Sequence, residues 1–93
     1  MPDHVRVADF EADKAAIDSL VHAISAEQGP PDGVPATSIT VLANPAGRRL
    51  RVVLFFGSEE DLQKGSEVLD AMTPPNMRRT SVENFEMLLN RSW

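Results

Sequence analysis

Cysteine is absent from the 93 residues, which excludes disulfides, thiolate metal sites and thiol catalysis and leaves the redox compartment open. Long apolar runs are absent as well. None approaches the ~20 residues needed to cross a bilayer, and Met1-Pro2-Asp3-His4 has no basic stretch followed by an apolar one, as a secretory leader would. Positive charge is scarce: nine Lys and Arg stand against fourteen Asp and Glu, a net charge of -5. These charges are spread along the chain, whereas binding to phosphate backbones runs on clustered Lys and Arg, so nucleic acid is not an expected partner. There is no internal repeat, no low-complexity tract and no segment that joins low hydrophobicity to high charge. What is present is ordinary for a globular chain, 42% hydrophobic and 25% charged residues. The expectation is one domain over residues 1–93, soluble and cytoplasmic, with a core limited to what so short a chain can bury.

Hydrophobic spacing divides the chain into six elements. His4 to Phe10 alternates loosely, Val5 and Val7 against Arg6 and Ala8, and reads as a first strand. From about Ala12 to Gln28, Ala16, Ile17, Leu20, Val21 and Ile24 recur at three- and four-residue spacing and make one helical stripe. Gly29 followed by Pro30 and Pro31 should end that helix, and Pro30 to Pro35 is a stiff connection. Thr37 to Ala43 is a second strand, and Asn44-Pro45-Ala46-Gly47 reads as a turn joining it to a third as a hairpin. Strand three, Leu50 to Phe56, is apolar on both sides, with Leu50, Val52, Leu54 and Phe56 one way and Val53 and Phe55 the other, as in a central strand. Gly57-Ser58 opens a second helix, with Ser58 as cap and Glu59, Glu60 and Asp61 set against the helix dipole. Its inner stripe is Leu62, Gly65, Leu69 and Met72, and Thr73-Pro74-Pro75 should stop it. Ser81 to Leu89 is strand four, with Phe85, Met87 and Leu89 on one side and Asn84 and Glu86 on the other.

The order βαββαβ packs most simply as an α+β, ferredoxin-like subunit, a four-stranded antiparallel sheet with both helices on one face. The other face is then bare. Val53 and Phe55 should stand at its centre, flanked by Thr40, Leu42 and Ala8 or their opposite-parity neighbours. Apolar surface of that kind marks an interface, and a twofold homodimer with the sheets packed together covers it.

The run Arg51-Val52-Val53-Leu54-Phe55-Phe56-Gly57-Ser58-Glu59-Glu60-Asp61-Leu62, followed by Arg79-Thr80-Ser81-Val82-Glu83-Asn84-Phe85-Glu86-Met87, resembles the small proteins of the dimeric α+β barrel superfamily related to the antibiotic biosynthesis monooxygenases. The resemblance spans nearly the whole chain in element order. It implies a homodimer with a cavity between each sheet and its helices or between the two sheets, and a small organic molecule bound without a cofactor, as in cofactor-independent monooxygenases. Relatives that degrade haem resemble one another in an Asn on strand one, a Trp near strand three and a His on helix two. This chain has none of the three: strand one reads His4-Val5-Arg6-Val7-Ala8-Asp9, helix two lacks histidine, and the one tryptophan is Trp93.

The candidate ligand-binding residues are Arg6, Phe55, Asn84 and Glu86. If the face of strand one that holds His4, Arg6 and Ala8 and the face of strand four that holds Asn84 and Glu86 both point away from the helices, Arg6 and Glu86 meet across adjacent strands. Such a pair could orient an anionic or carbonyl-bearing ligand in an apolar cavity. The favoured reading is the simpler one, a cross-strand ion pair at a sheet edge or dimer rim, because nothing else in the sequence converges on that spot. A non-catalytic dimeric binding or interaction protein is the alternative function, and no residue is assigned a catalytic role. His22 lies off the helical stripe and reads as a surface histidine. Consecutive Glu59, Glu60 and Asp61 point in different directions on a helix, so they cap rather than hold a metal. Arg78-Arg79 could grip an anion, but a solvated loop before strand four is the more usual meaning of such a pair. RNA-recognition domains share the βαββαβ order, but aligning Phe56 with the last aromatic of their strand-three motif puts Arg51 and Val53 where stacking rings belong.

Overall fold

A computed structural model describes residues 3–72 and 77–93. Alternating small and β-branched residues set β1 (His4–Ala12) as an extended strand, two residues longer than its hydrophobic pattern. Glu11 and Ala12 continue it because both find partners, Glu11 opposite Arg49 and Arg78 and Ala12 opposite Met77. Asp13 then caps α1 (Lys14–Ala26), its Oδ1 accepting from the Ala16 amide at 2.8 Å, which satisfies one of the first-turn donors that a helix leaves open. The helix ends before Gly29, with Glu27 already extended. The left-handed glycine is Gly33 (φ 81°), in a turn closed by the Val34 amide donating to the Pro31 carbonyl. A positive φ at the third turn position suits glycine, and the turn delivers Val34 into the core.

The hairpin forms as expected. β2 (Ser38–Asn44) and β3 (Arg49–Phe56) pair antiparallel, with Asn44 opposite Arg49 across a single 3-10 turn, Pro45–Gly47. The residue in the left-handed region there is Arg48 (φ 54°), not Gly47. α2 (Glu59–Asp70) begins as predicted, Ser58 Oγ accepting from the Asp61 amide, with three acids in the first turn. Its expected stop at Thr73-Pro74-Pro75 lies outside the described residues, as do Met1 and Pro2. β4 (Met77–Glu86) starts four residues earlier than its pattern suggests. Thr80 is the extra residue of a bulge between Asp9–Ser81 and Phe10–Arg79, and its hydroxyl donates to the Asp9 carbonyl. The bulge lets pairing continue down the longer β1, so Arg78 and Arg79 lie in a strand rather than in a loop.

The sheet order is β2-β3-β1-β4, antiparallel throughout. With the two helices this is the ferredoxin-like α+β arrangement. Directly opposed residues share a face, so the pairs Arg6–Leu54, Ala8–Val52 and Phe10–Leu50 put the even residues of β1 and β3 on one side. That side faces the helices. At one end Ala16 and Ile17 of α1 pack on Ala12 and Leu50. At the other, Leu62 of α2 and Val34 pack on Leu54 and Phe56. Gly65 lets α2 approach: a Cβ there would stand 2.6 and 2.8 Å from the ring of Phe56, which is wholly buried.

Candidate functional site

Two core clusters at opposite ends of the sheet leave a space between them, a cavity of about 830 Å³. Its floor is Arg6, Ala8 and Phe10 of β1 with Val52 and Leu54 of β3; its sides are Leu20 and Ile24 of α1, Leu69 of α2 and Met72 just past the end of α2. The stripe of α1 divides accordingly. Ala16 and Ile17 are buried against the sheet, while Leu20 and Ile24 are half-buried over the open space. Exposed residues at its edge, including Glu27, Gln28 and Met72, open it to solvent. A volume of this size lies in the range of pockets that enclose small organic molecules, and its lining follows the same rule, mostly apolar with few polar groups.

The polar floor is Arg6. It is 3% exposed and is the one charged side chain in the buried set of the described residues. Its Nη2 donates to Asp70 Oδ1 at 2.9 Å, and Arg79 Nη1 donates to the same oxygen at 2.9 Å. Asp70 ends α2, half-exposed, so the carboxylate ties the helix end to β1 and β4 at once. Arg6 Nη1 is buried and has no hydrogen-bond partner among the described residues. Burial draws the guanidinium below the ordinary arginine value, Asp70 opposes that, and the like charge of Arg79 adds to it. It stays protonated at any working pH, so it can hold an anion but cannot take up a proton.

Of the four residues read from the sequence as a ligand site, one lines this cavity. Arg6 does, but against Asp70 rather than Glu86: across β1 and β4 it stands opposite Asn84, and His4 stands opposite Glu86. The His4, Arg6 and Ala8 face points toward the helices, not away from them. Asn84 and Glu86 share that side but are exposed on the outer strand and do not line the cavity. Phe55 is on the opposite face, beside Val5. Asp70 was missed, and Arg79 stands in β4 beside it rather than in the solvated loop expected of the Arg78-Arg79 pair. An acid in the last turn of a helix opposes the helix dipole, and that mismatch at Asp70 was the available signal of a tertiary partner.

The helix-free face carries Val5, Val7, Val53, Phe55, Leu42 and a half-exposed Phe85, with Thr40 beside Val53. Val7, not Ala8, flanks its centre; Ala8 is buried under the helices. Toward the other end of the strands the same face turns polar. Arg51 donates through Nε and Nη2 to the two oxygens of Asp9 at 2.7 and 3.1 Å, and the Ser81 hydroxyl donates to Asp9 Oδ2 at 3.2 Å. The Arg51 fork holds the Asp9 carboxyl below the usual carboxylate range; partial burial opposes this, and Ser81 and Arg49 reinforce it.

Among the described residues no three His, Asp or Glu side chains come together as a metal site, and no helix is long and apolar enough to cross a membrane. No family model, no curated protein and no solved structure matches this chain. Fold and cavity therefore define its class, an α+β domain with a solvent-open pocket between sheet and helices, and the chemistry of the pocket carries the functional argument.

Proposed function

We propose that this chain binds a small organic molecule in the cavity between its sheet and its helices, and does so as a homodimer closed through the helix-free face. The observation that carries the first part is the cavity itself, about 830 Å³ with apolar walls and one buried guanidinium on its floor. Supporting the second part are Val53, Phe55 and Phe85, apolar side chains on a face that the helices do not cover. Under this reading Phe55 belongs to the dimer interface and Arg6 to the ligand site.

N-phenylnaphthylamine, a neutral dye that brightens in apolar surroundings, tests the cavity. Saturable binding at one dye per chain is expected. Ile24→Trp, which fills the space from α1, should abolish it while circular dichroism stays unchanged. Dye binding that Ile24→Trp leaves intact would place the dye elsewhere and refute the reading. Light scattering tests the dimer: the natural sequence should be dimeric at micromolar concentration and Phe55→Glu monomeric. The resemblance to cofactor-independent monooxygenases adds an expectation of turnover, read as oxygen uptake with a panel of naphthols and hydroquinones. Uptake that Ile24→Trp removes would make the chain an enzyme. Dye binding without uptake would favour the non-catalytic binding protein that the helix-free face also supports.

A further inference from the structure

We infer that the cavity is built for an amphipathic monocarboxylate, whose carboxylate sits on the free Nη1 of Arg6 and whose apolar body lies along Leu20, Ile24, Val52 and Leu54. This deepens the proposed function and rests on the cavity being a ligand site.

Three observations converge. First, Arg6 lies almost entirely out of water with one of its two terminal nitrogens unpartnered. A buried charged donor without an acceptor is costly, and an acceptor brought by a ligand removes that cost. Second, the charge at the floor suits a monoanion. Two guanidinium groups, Arg6 and Arg79, share one carboxylate, Asp70, which leaves one positive charge over. A dianion would overcompensate it and stand close to Asp70. The remaining titratable group on the cavity lining, Glu27, is at the exposed end of α1, where solvent screens it. Third, the walls above Arg6 are aliphatic, so the ligand must be apolar away from its headgroup.

The geometry also gives Asp70 a role. It occupies Arg6 Nη2 and Arg79 Nη1, so the arriving carboxylate shares its donors with a resident one. Asp70 positions the guanidinium and at the same time weakens anion binding by like charge.

Displacement of bound N-phenylnaphthylamine by decanoate, decanol, decylamine and decyl phosphate tests the inference. Decanoate should displace at least about tenfold better than decanol, the range of one buried charge-assisted hydrogen bond, and decylamine should be weakest. Arg6→Met should bring decanoate down to the level of decanol. Asp70→Asn, at an exposed position, should tighten decanoate several-fold relative to decanol, and it serves if Arg6→Met does not fold. Equal displacement by decanoate and decanol would overturn the carboxylate inference and leave the cavity reading standing. Decyl phosphate displacing better than decanoate would overturn the choice of a monoanion. Absence of saturable dye binding would overturn both readings at once.

Discussion

Replacing Arg6 by methionine should leave the fold as stable as before or slightly more so, although it removes a buried salt bridge. The magnitude follows from what each atom of Arg6 does. Its stem lies almost wholly out of water, on the strand position opposite Leu54, and methionine keeps most of that burial. Its Nη1 has no partner among the described residues, and an unmet buried donor costs about 1–3 kcal/mol, which the substitution removes. Against this stands the Nη2 bond to Asp70. A hydrogen bond to a charged group contributes about 1.5–3 kcal/mol when both partners are buried. Asp70 is 54% exposed and keeps Arg79, so solvent screening brings that contribution toward about 1 kcal/mol or less. No charge is left stranded, which is what makes most broken buried pairs expensive. The balance is a gain of about 0–2 kcal/mol, at about 4–8 °C of Tm per kcal/mol for a domain of this size. Thermal unfolding at one fixed protein concentration measures it, since dimerisation makes Tm concentration-dependent. A fall in Tm of more than about 8 °C would refute the reasoning and make Arg6 a structural residue. Stability kept or gained, together with loss of decanoate preference, would mark Arg6 as a residue held for binding at some expense in stability.

Gly65→Ala should destabilise. Alanine gains about 1 kcal/mol of helix propensity, but its Cβ would press on Phe56 at 2.6 and 2.8 Å, and overpacking a closed core costs about 1–3 kcal/mol; a higher urea midpoint would contradict the close approach of α2. The Asp9–Arg51 fork should show in the pH dependence. Because the folded carboxyl titrates below its ordinary value, its contribution is complete above the unfolded value of about 3.9 and is lost as pH falls through the folded one. The natural sequence should therefore exceed Asp9→Asn in urea midpoint at pH 6, and the difference should shrink steadily below about pH 4; a constant difference across that range would rule the linkage out. Glu86→Gln, on the exposed outer strand, should leave dye and decanoate binding unchanged, whereas altered binding would return Glu86 to the site.

How far the sequence alone could be read is clearest at three places. Strand three was legible down to its faces, because a period of two combined with apolar residues at both parities allows only a central strand covered on one side and greasy on the other. The entry to α2 was legible because a cap acts over three residues. The start of β4 was not: Met77, Arg78 and Arg79 are strand only because a bulge at Thr80 keeps them in step with a β1 that runs on to Ala12.

Element order, the hairpin and the two-sided nature of β3 were thus determined by the sequence itself, since each depends on residues near one another in the chain. Which side of β1 turns inward was decided by tertiary structure. Val5 and Val7 on one parity and Ala8 and Phe10 on the other are both apolar enough to bury, so local pattern does not distinguish them. Register against β3 does, by pairing Arg6 with Leu54 beneath the helices. That one choice carried Arg6 to Asp70 and parted it from Phe55, while the register of β1 against β4, with Arg6 opposite Asn84 and His4 opposite Glu86, separated it from Glu86.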